Sequence, residues 1–257
     1  MLLAIDIGNT NITIGLYAGA TLGGRWRIST VHERTADEYG IKLLAMLAHD
    51  EVTPAQIAGV VMASVVPPLT GSWVQACERY LGRTPLVVEA ETVNWLPVLY
   101  DPPNQVGADR VVDAVAVLTL YSAPACVVDF GTATTFDAID ANGAYLGGAI
   151  APGIGIAADA LFQRAAKLPR VDLVRPPTAI GRNTRHAMQS GLLFGYVGLV
   201  EGMVARFRRE LGEGMIVIAT GGLAEVVAQE TNVIDHIAPW LTLEGLRIIY
   251  GRVRGEE

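Results

Sequence analysis

Leu2-Leu3-Ala4-Ile5-Asp6-Ile7-Gly8-Asn9-Thr10-Asn11-Ile12-Thr13 stands near the start of the chain, and Ala125-Cys126-Val127-Val128-Asp129-Phe130-Gly131-Thr132-Ala133-Thr134-Thr135-Phe136 repeats its pattern past the middle. Each copy runs apolar residues into an Asp, then one apolar residue, a Gly, and a series of small hydroxyl or amide residues. Leu22-Gly23-Gly24 and Leu146-Gly147-Gly148 fall at nearly the same offset from the two copies. Two coincidences in register make an internal repeat, which predicts two similar lobes. Ser122-Ala123-Pro124 separates a helical pattern from the second copy, so the expected lobes are residues 1–122 and 123–257.

After each Gly the pattern continues as a strand. Ile12, Ile14 and Leu16 alternate with Asn11, Thr13 and Gly15, the period of a half-buried strand. Asn142-Gly143 is a hairpin signal. Each lobe is therefore expected to open with a β-meander whose first tight turn is Asp-x-Gly-x. Buried strands are predicted over 57–66 and 215–219. Helices are predicted over 37–48, 71–81, 107–120 and 184–211, which makes the chain α/β.

The bulk composition narrows the function. The chain has 257 residues, 51% of them apolar, enough for a sizeable core. Its net charge is −7, and lysine occurs only as Lys42 and Lys167. No concentrated basic stripe exists to hold a phosphate backbone, so nucleic acid is not expected as a partner. Cys77 and Cys126 lie in apolar surroundings and are expected as reduced core thiols. The four histidines are too dispersed for a zinc site. The N-terminus lacks the basic start of a signal peptide, and the uncharged stretch 187–200 is short for a bilayer. A cytoplasmic protein without a membrane segment is expected.

A phosphate-binding turn must bring backbone N–H groups close to charged oxygens, so it needs Gly with small polar neighbours. Gly8-Asn9-Thr10 and Gly131-Thr132-Ala133-Thr134-Thr135 both meet that need, and Thr220-Gly221-Gly222 is a third candidate. Asp6 and Asp129, at strand ends facing one cleft, could hold a cation directly or through water. The plain alternative is a hairpin turn in which Asp satisfies local N–H groups. No Gly-x-x-x-x-Gly-Lys-[Ser/Thr] exists, which excludes a P-loop. Gly153-Ile154-Gly155-Ile156-Ala157-Ala158 resembles a dinucleotide fingerprint but follows Pro152, and is read as a tight strand-to-helix connection.

Taken together, these stretches resemble the type III pantothenate kinases of the actin-like, sugar-kinase and heat-shock ATPase superfamily. The matching residues are Asp6 to Thr10, Gly107-Ala108-Asp109-Arg110, Asp129 to Thr135, Gly147 to Gly153, Gly181-Arg182-Asn183-Thr184 and Thr220-Gly221-Gly222. The resemblance implies two ribonuclease H-like lobes, each a mixed β-sheet with flanking helices, with a cleft between them. It implies ATP-dependent phosphorylation of pantothenate to 4′-phosphopantothenate, the first step towards coenzyme A. A homodimer, Mg2+ with the nucleotide, and K+ or NH4+ are implied as well.

The resemblance also assigns roles. Asp6, Ile7, Gly8, Asn9, Thr10, Asn11, Ile12 and Thr13 would line the ATP phosphates, with Asp6 reaching magnesium through water. Thr132 would contact ATP and Asp129 the monovalent cation. Tyr100, Gly107, Ala108, Asp109, Arg110 and Thr184 would hold pantothenate. Asp109 suits a proton acceptor, although an Asp at a helix start is also a common N-cap. A cation in the first turn opposes the helix dipole, so Arg110 reads as a grip on an anion. Thr184 reads equally as the N-cap of the long helix, and Tyr100 as a core aromatic.

Gly191, Gly195, Gly198 and Gly202 share one face of that helix. They predict a closely packed partner helix, in the lobe or in a second subunit. Two competing functions remain open: another superfamily kinase or phosphohydrolase, which the Gly-Ala-Asp-Arg helix start argues against, and a regulatory relative without turnover, which Asp6, Asp109 and Asp129 argue against.

Overall fold

A computed structural model describes residues 1–165 and 167–255. The elements, in order, are β1 Leu2–Ile7, β2 Asn11–Ala18, β3 Thr21–Ser29, α1 Ala36–His49, β4 Gly59–Ser64, α2 Pro67–Leu81, β5 Leu86–Val88, α3 Ala108–Leu120, β6 Ala125–Phe130, β7 Ala133–Ile139, β8 Tyr145–Pro152, α4 Ile154–Arg164, α5 Thr184–Leu211, β9 Ile216–Gly221, α6 Ala224–Ala228, β10 His236–Ile237 and α7 Leu241–Arg254. They form two compact units. One comprises Met1–Leu96, Asp101–Thr119 and the chain from Leu241 onward; the other comprises Pro97–Tyr100 and Leu120–Trp240.

Each unit holds a five-stranded mixed sheet, ordered β3-β2-β1-β4-β5 in the first and β8-β7-β6-β9-β10 in the second. In both, the opening meander is antiparallel; one later strand, β4 or β9, pairs parallel to its first strand, and the next, β5 or β10, pairs parallel to that one. The pairing is similar, though the second turn is one residue shorter: Asp6 pairs with Thr13 and Ala63, and Asp129 with Thr135 and Thr220. The sequence repeat is thus a repeat of topology.

The first sheet is covered on both faces. Leu3, Ile5 and Ile7 of β1 point with Ile12 and Ile14 of β2 into a core closed by Tyr39 and Leu43 of α1 and Trp73 of α2. Helix α7 packs against β1, β2 and β4. Leu243 fills the space beside Gly15, and the Tyr250 hydroxyl lies over Gly59. Burial on both faces explains why β1 reads as an unbroken apolar run rather than an alternating one. The last helix therefore belongs with the first sheet, not with the C-terminal half of the sequence.

In the second unit, Cys126, Val128 and Phe130 of β6 and Phe136 of β7 pack with Tyr196, Val197, Val200 and Val204 of α5. Helix α5 is long and apolar enough, by length and composition, to cross a membrane, although its uncharged stretch is confined to residues 187–200. These inward contacts make it the core helix of the unit. Helix α2 begins at Pro67, four residues before its expected start, because Pro67 and Pro68 occupy first-turn positions that need no N–H partner. Cys77 and Cys126 are buried and free.

Candidate active site

The β1–β2 turn is tight. The Gly8 N–H donates to the Asn11 carbonyl at 3.1 Å, and a methyl on Gly8 would lie 2.9 Å from that same oxygen. The Thr30 hydroxyl donates to the Gly8 carbonyl at 2.6 Å, and the Thr30 N–H to the Thr10 carbonyl at 3.0 Å. Asn9 and Thr10 are left exposed at the tip, with Asp6 half-buried at the strand end.

Beside this turn, β4 ends at Ser64, and the Val65 N–H donates to the Ile7 carbonyl at 3.1 Å. A methyl on Gly107 would lie 3.8 Å from Val65 Cγ1. The start of α3 thus lies beside Val65, which follows β4 and is bonded to the end of β1. In open α/β sheets ligands bind at such strand ends.

The start of α3 answers the capping question. The Gly107 carbonyl accepts from the N–H groups of Arg110 and Val111, at 3.1 and 3.3 Å. Asp109 therefore stands inside the first turn rather than capping it, and its Oδ1 accepts from the Arg110 N–H at 2.9 Å. That carboxylate folds into the space a Gly107 side chain would take. Asp109 is half-buried, and Arg110 is only 9% exposed. Burying a guanidinium at the positive end of a helix is costly unless it serves a bound anion or a buried partner.

In the second unit the equivalent turn, Gly131-Thr132, joins β6 to β7. Asp129 lies between two bare backbones: a methyl on Gly131 would lie 3.2 Å from its Oδ2, and one on Gly221 would collide with its Oδ1. Gly221 has φ +89, a region that favours glycine. Gly153 donates its N–H to the Thr132 carbonyl at 3.1 Å and has no room for a side chain against that turn. The Gly-rich run from 153 is thus the connection into α4, as its sequence suggested, and it buttresses the Thr132 turn. That contact, and those of Gly221, join residues far apart in sequence and leave no local signal.

Thr184 is the first residue of α5 and exposed, but it is not the cap. The N-cap is Asn183, whose Oδ1 accepts the His186 N–H at 2.8 Å. Thr184 borders a cavity of about 810 Å³ with Arg182, Leu161 of α4, and Met188 and Leu192 of α5. Tyr100 is half-buried and packs against Gly147. Asp6 to Thr13 and Gly107 to Arg110 therefore lie in the first unit, and Tyr100, Asp129, Thr132 and Thr184 in the second.

Among the described residues, no three His, Cys, Asp or Glu side chains stand together. A cation at either turn would take one protein carboxylate and complete its shell with phosphate, water and backbone oxygens, a common arrangement for Mg2+. Asp129, its carboxylate seated against the bare backbones of Gly131 and Gly221, could be the carboxylate of such a set.

The family model described as type III pantothenate kinase matches residues 2–206. Curated relatives carrying that name are 54% identical over 98% of this chain in Moorella thermoacetica, 52% over 98% in Myxococcus xanthus and 53% over 97% in Roseiflexus castenholzii. The first covers 99% of its relative, and the other two 98% each. The chain belongs to the type III pantothenate kinase family.

Solved structures agree on the fold this family member adopts. A conserved putative Baf family transcriptional activator from Campylobacter jejuni superposes with TM-score 0.64 at 18% identity, covering 98% of this chain and 99% of that one. A putative 2-dehydro-3-deoxygalactonokinase from Sinorhizobium meliloti gives TM-score 0.61 at 12%, over 98% and 97%. The fold is that of the actin-like ATPases and sugar kinases.

Proposed function

We infer that this chain phosphorylates pantothenate to 4′-phosphopantothenate with ATP, the first step of coenzyme A biosynthesis. The observation that carries the inference is the match, at 54% identity over nearly its whole length, to a protein named for that activity. A kinase of this class takes ATP with a divalent cation; we assign Mg2+ to the nucleotide and K+ or NH4+ to a second position.

Phosphoryl transfer asks the protein for positioning, charge neutralisation and a proton acceptor. Asp6 to Thr13 and Thr132 line the ATP phosphates in this reading. Asp6 would hold Mg2+ through water and Asp129 the monovalent cation, and these ions would supply charge neutralisation at the phosphates. Asp109 takes the proton of the pantothenate hydroxyl. Its support is its position in the first turn of α3, its oxygen already oriented by the Arg110 N–H. Arg110 grips the pantothenate carboxylate, and Tyr100, Gly107, Ala108 and Thr184 complete the substrate contacts.

The lobes of the reading are residues 1–122 and 123–257, although α7, inside the second span, packs on the first sheet. The protein is proposed to be a cytoplasmic homodimer that binds neither nucleic acid nor membrane. A coupled assay of ADP release, with and without pantothenate and in K+ then Na+ buffer, tests the activity. Release that ignores pantothenate would overturn it.

A further inference from the structure

Strand β8 carries a β-bulge that the activity itself does not explain. Its register runs Asp137 to Gly148, Ala138 to Gly147, then Ile139 to Tyr145, so Leu146 is the extra residue. Gly147 beside it is buried with φ +116, a conformation that a side chain would strain. Bulges bend a strand and re-aim its neighbours.

Both sides of this bulge are fixed. On one, the Tyr145 ring is fully buried and its hydroxyl donates to Asp137 Oδ1 at 2.8 Å. Asp137 is 2% exposed, and its other oxygen accepts from the Thr135 hydroxyl at 2.9 Å. On the other, the Tyr145 N–H donates to the Pro97 carbonyl at 2.9 Å, and the Leu99 N–H donates to the Tyr145 carbonyl at 2.8 Å. The segment leading into Tyr100 is thereby tied to the bulge. Its ring then meets the bare backbone at 147: a methyl there would lie 3.0 Å from Tyr100 Cδ2 and 3.3 Å from Cε2.

We propose that Gly147 is a positioning residue for the acceptor substrate: the bulge, anchored through Tyr145 to Asp137, seats the Tyr100 ring, and the missing side chain at 147 sets how deep that wall lies. The proposal rests on the reading that Tyr100 contacts pantothenate. A side chain at 147 would push the ring outward by a few tenths of an ångström or more. Displacements of about 1 Å can cost on the order of a hundredfold in a positioned reaction.

The test is a double-mutant cycle with Tyr100→Ala, Gly147→Ala and their combination, reading KM for pantothenate, KM for ATP, kcat and Tm. Each single variant should raise the pantothenate KM by about tenfold and leave the ATP KM unchanged. The double variant should bind pantothenate no worse than Tyr100→Ala alone. Strain at φ +116 lowers Tm in both backgrounds and cancels in the cycle. Should Gly147→Ala not fold, Tyr145→Phe serves: it keeps the ring, frees the bulge from Asp137, and should raise the pantothenate KM only while Tyr100 is present. Multiplicative effects in the cycle, or an ATP KM that rises equally, would overturn the proposal. So would an unchanged pantothenate KM in Gly147→Ala when Tyr100→Ala raises it, and that result leaves the site reading standing. An unchanged KM in Tyr100→Ala sinks the site reading and the proposal together.

Discussion

The carboxylate of Asp129 occupies the space that a side chain on Gly221 would need, although the two lie on different strands. Phe130 and Gly221 are register partners, and Gly221 takes φ +89. The end of β9 is thus shaped around the Asp129 oxygens. Gly221→Ala should lower stability by about 1–2 kcal/mol from the left-handed backbone alone, and should also move the carboxylate. If Asp129 holds the monovalent cation, the K+ concentration for half-maximal activity will rise severalfold. A melting temperature that falls while the K+ requirement stays fixed would separate Asp129 from the cation.

Asp109→Asn keeps an amide oxygen that can still accept the Arg110 N–H, so α3 should start as before. Losing the proton acceptor should lower kcat by roughly 10²–10⁴, with ATP affinity and Tm close to wild type. Arg110→Ala should behave differently, raising the pantothenate KM by about tenfold or more through loss of a charge-assisted bond. Steady-state kinetics on the two variants would distinguish the roles. Near-normal turnover in Asp109→Asn would remove that residue as the base.

The parts of this molecule legible in sequence are those whose signal is local. Asp6-x-Gly8 and Asp129-x-Gly131 announced matching turns because Asp, Gly and small polar residues are what a tight strand connection requires. The span of α5 was legible to the residue, from Thr184 to Leu211. Its cap reads as Thr184 in the sequence, whereas the geometry selects Asn183, also a good capping residue. Helix α7 had no clear place, since Leu243 and Tyr250 find their partners at Gly15 and Gly59, far away in the chain. Gly147, Gly153 and Gly221 stood in motifs the sequence displayed, but what each packs against did not show there. Each is glycine because of a neighbour brought by folding, and periodicity carries no trace of that.

Burial pushes the Cys77 thiol up from its ordinary 9.0 to about 12, and burial raises Cys126 as well. The folded protein keeps these protons where the unfolded chain loses them. Their contribution to stability is therefore complete below pH 9 and is lost as pH rises from 9 to about 12 for Cys77. Between pH 9 and 10 each thiol should cost about 1 kcal/mol. Cys77→Ala should melt lower at every pH because of the cavity, yet lose less stability than wild type across that window. Parallel pH slopes in denaturant titrations would show that the thiol ionises alike in the folded and unfolded states.

Gly191, Gly195 and Gly198 line one exposed face of α5, and among the described residues nothing lies within 4 Å of where their side chains would begin. Among the described residues, no helix of the same unit packs closely on this face. Each interior glycine costs about 1 kcal/mol of helix propensity relative to alanine, and nothing in this unit offsets that. In the proposed homodimer a second copy would, its helix able to lie close because no side chains intervene. Gly198→Leu has open space in the single chain and a better helix former at that position, so the monomer should fold with an undiminished Tm. Across a close helix contact the same leucine would force the backbones apart. Sedimentation should then find a folded monomer where the wild type is a dimer, whereas a Gly198→Leu dimer of unchanged affinity would place the interface elsewhere.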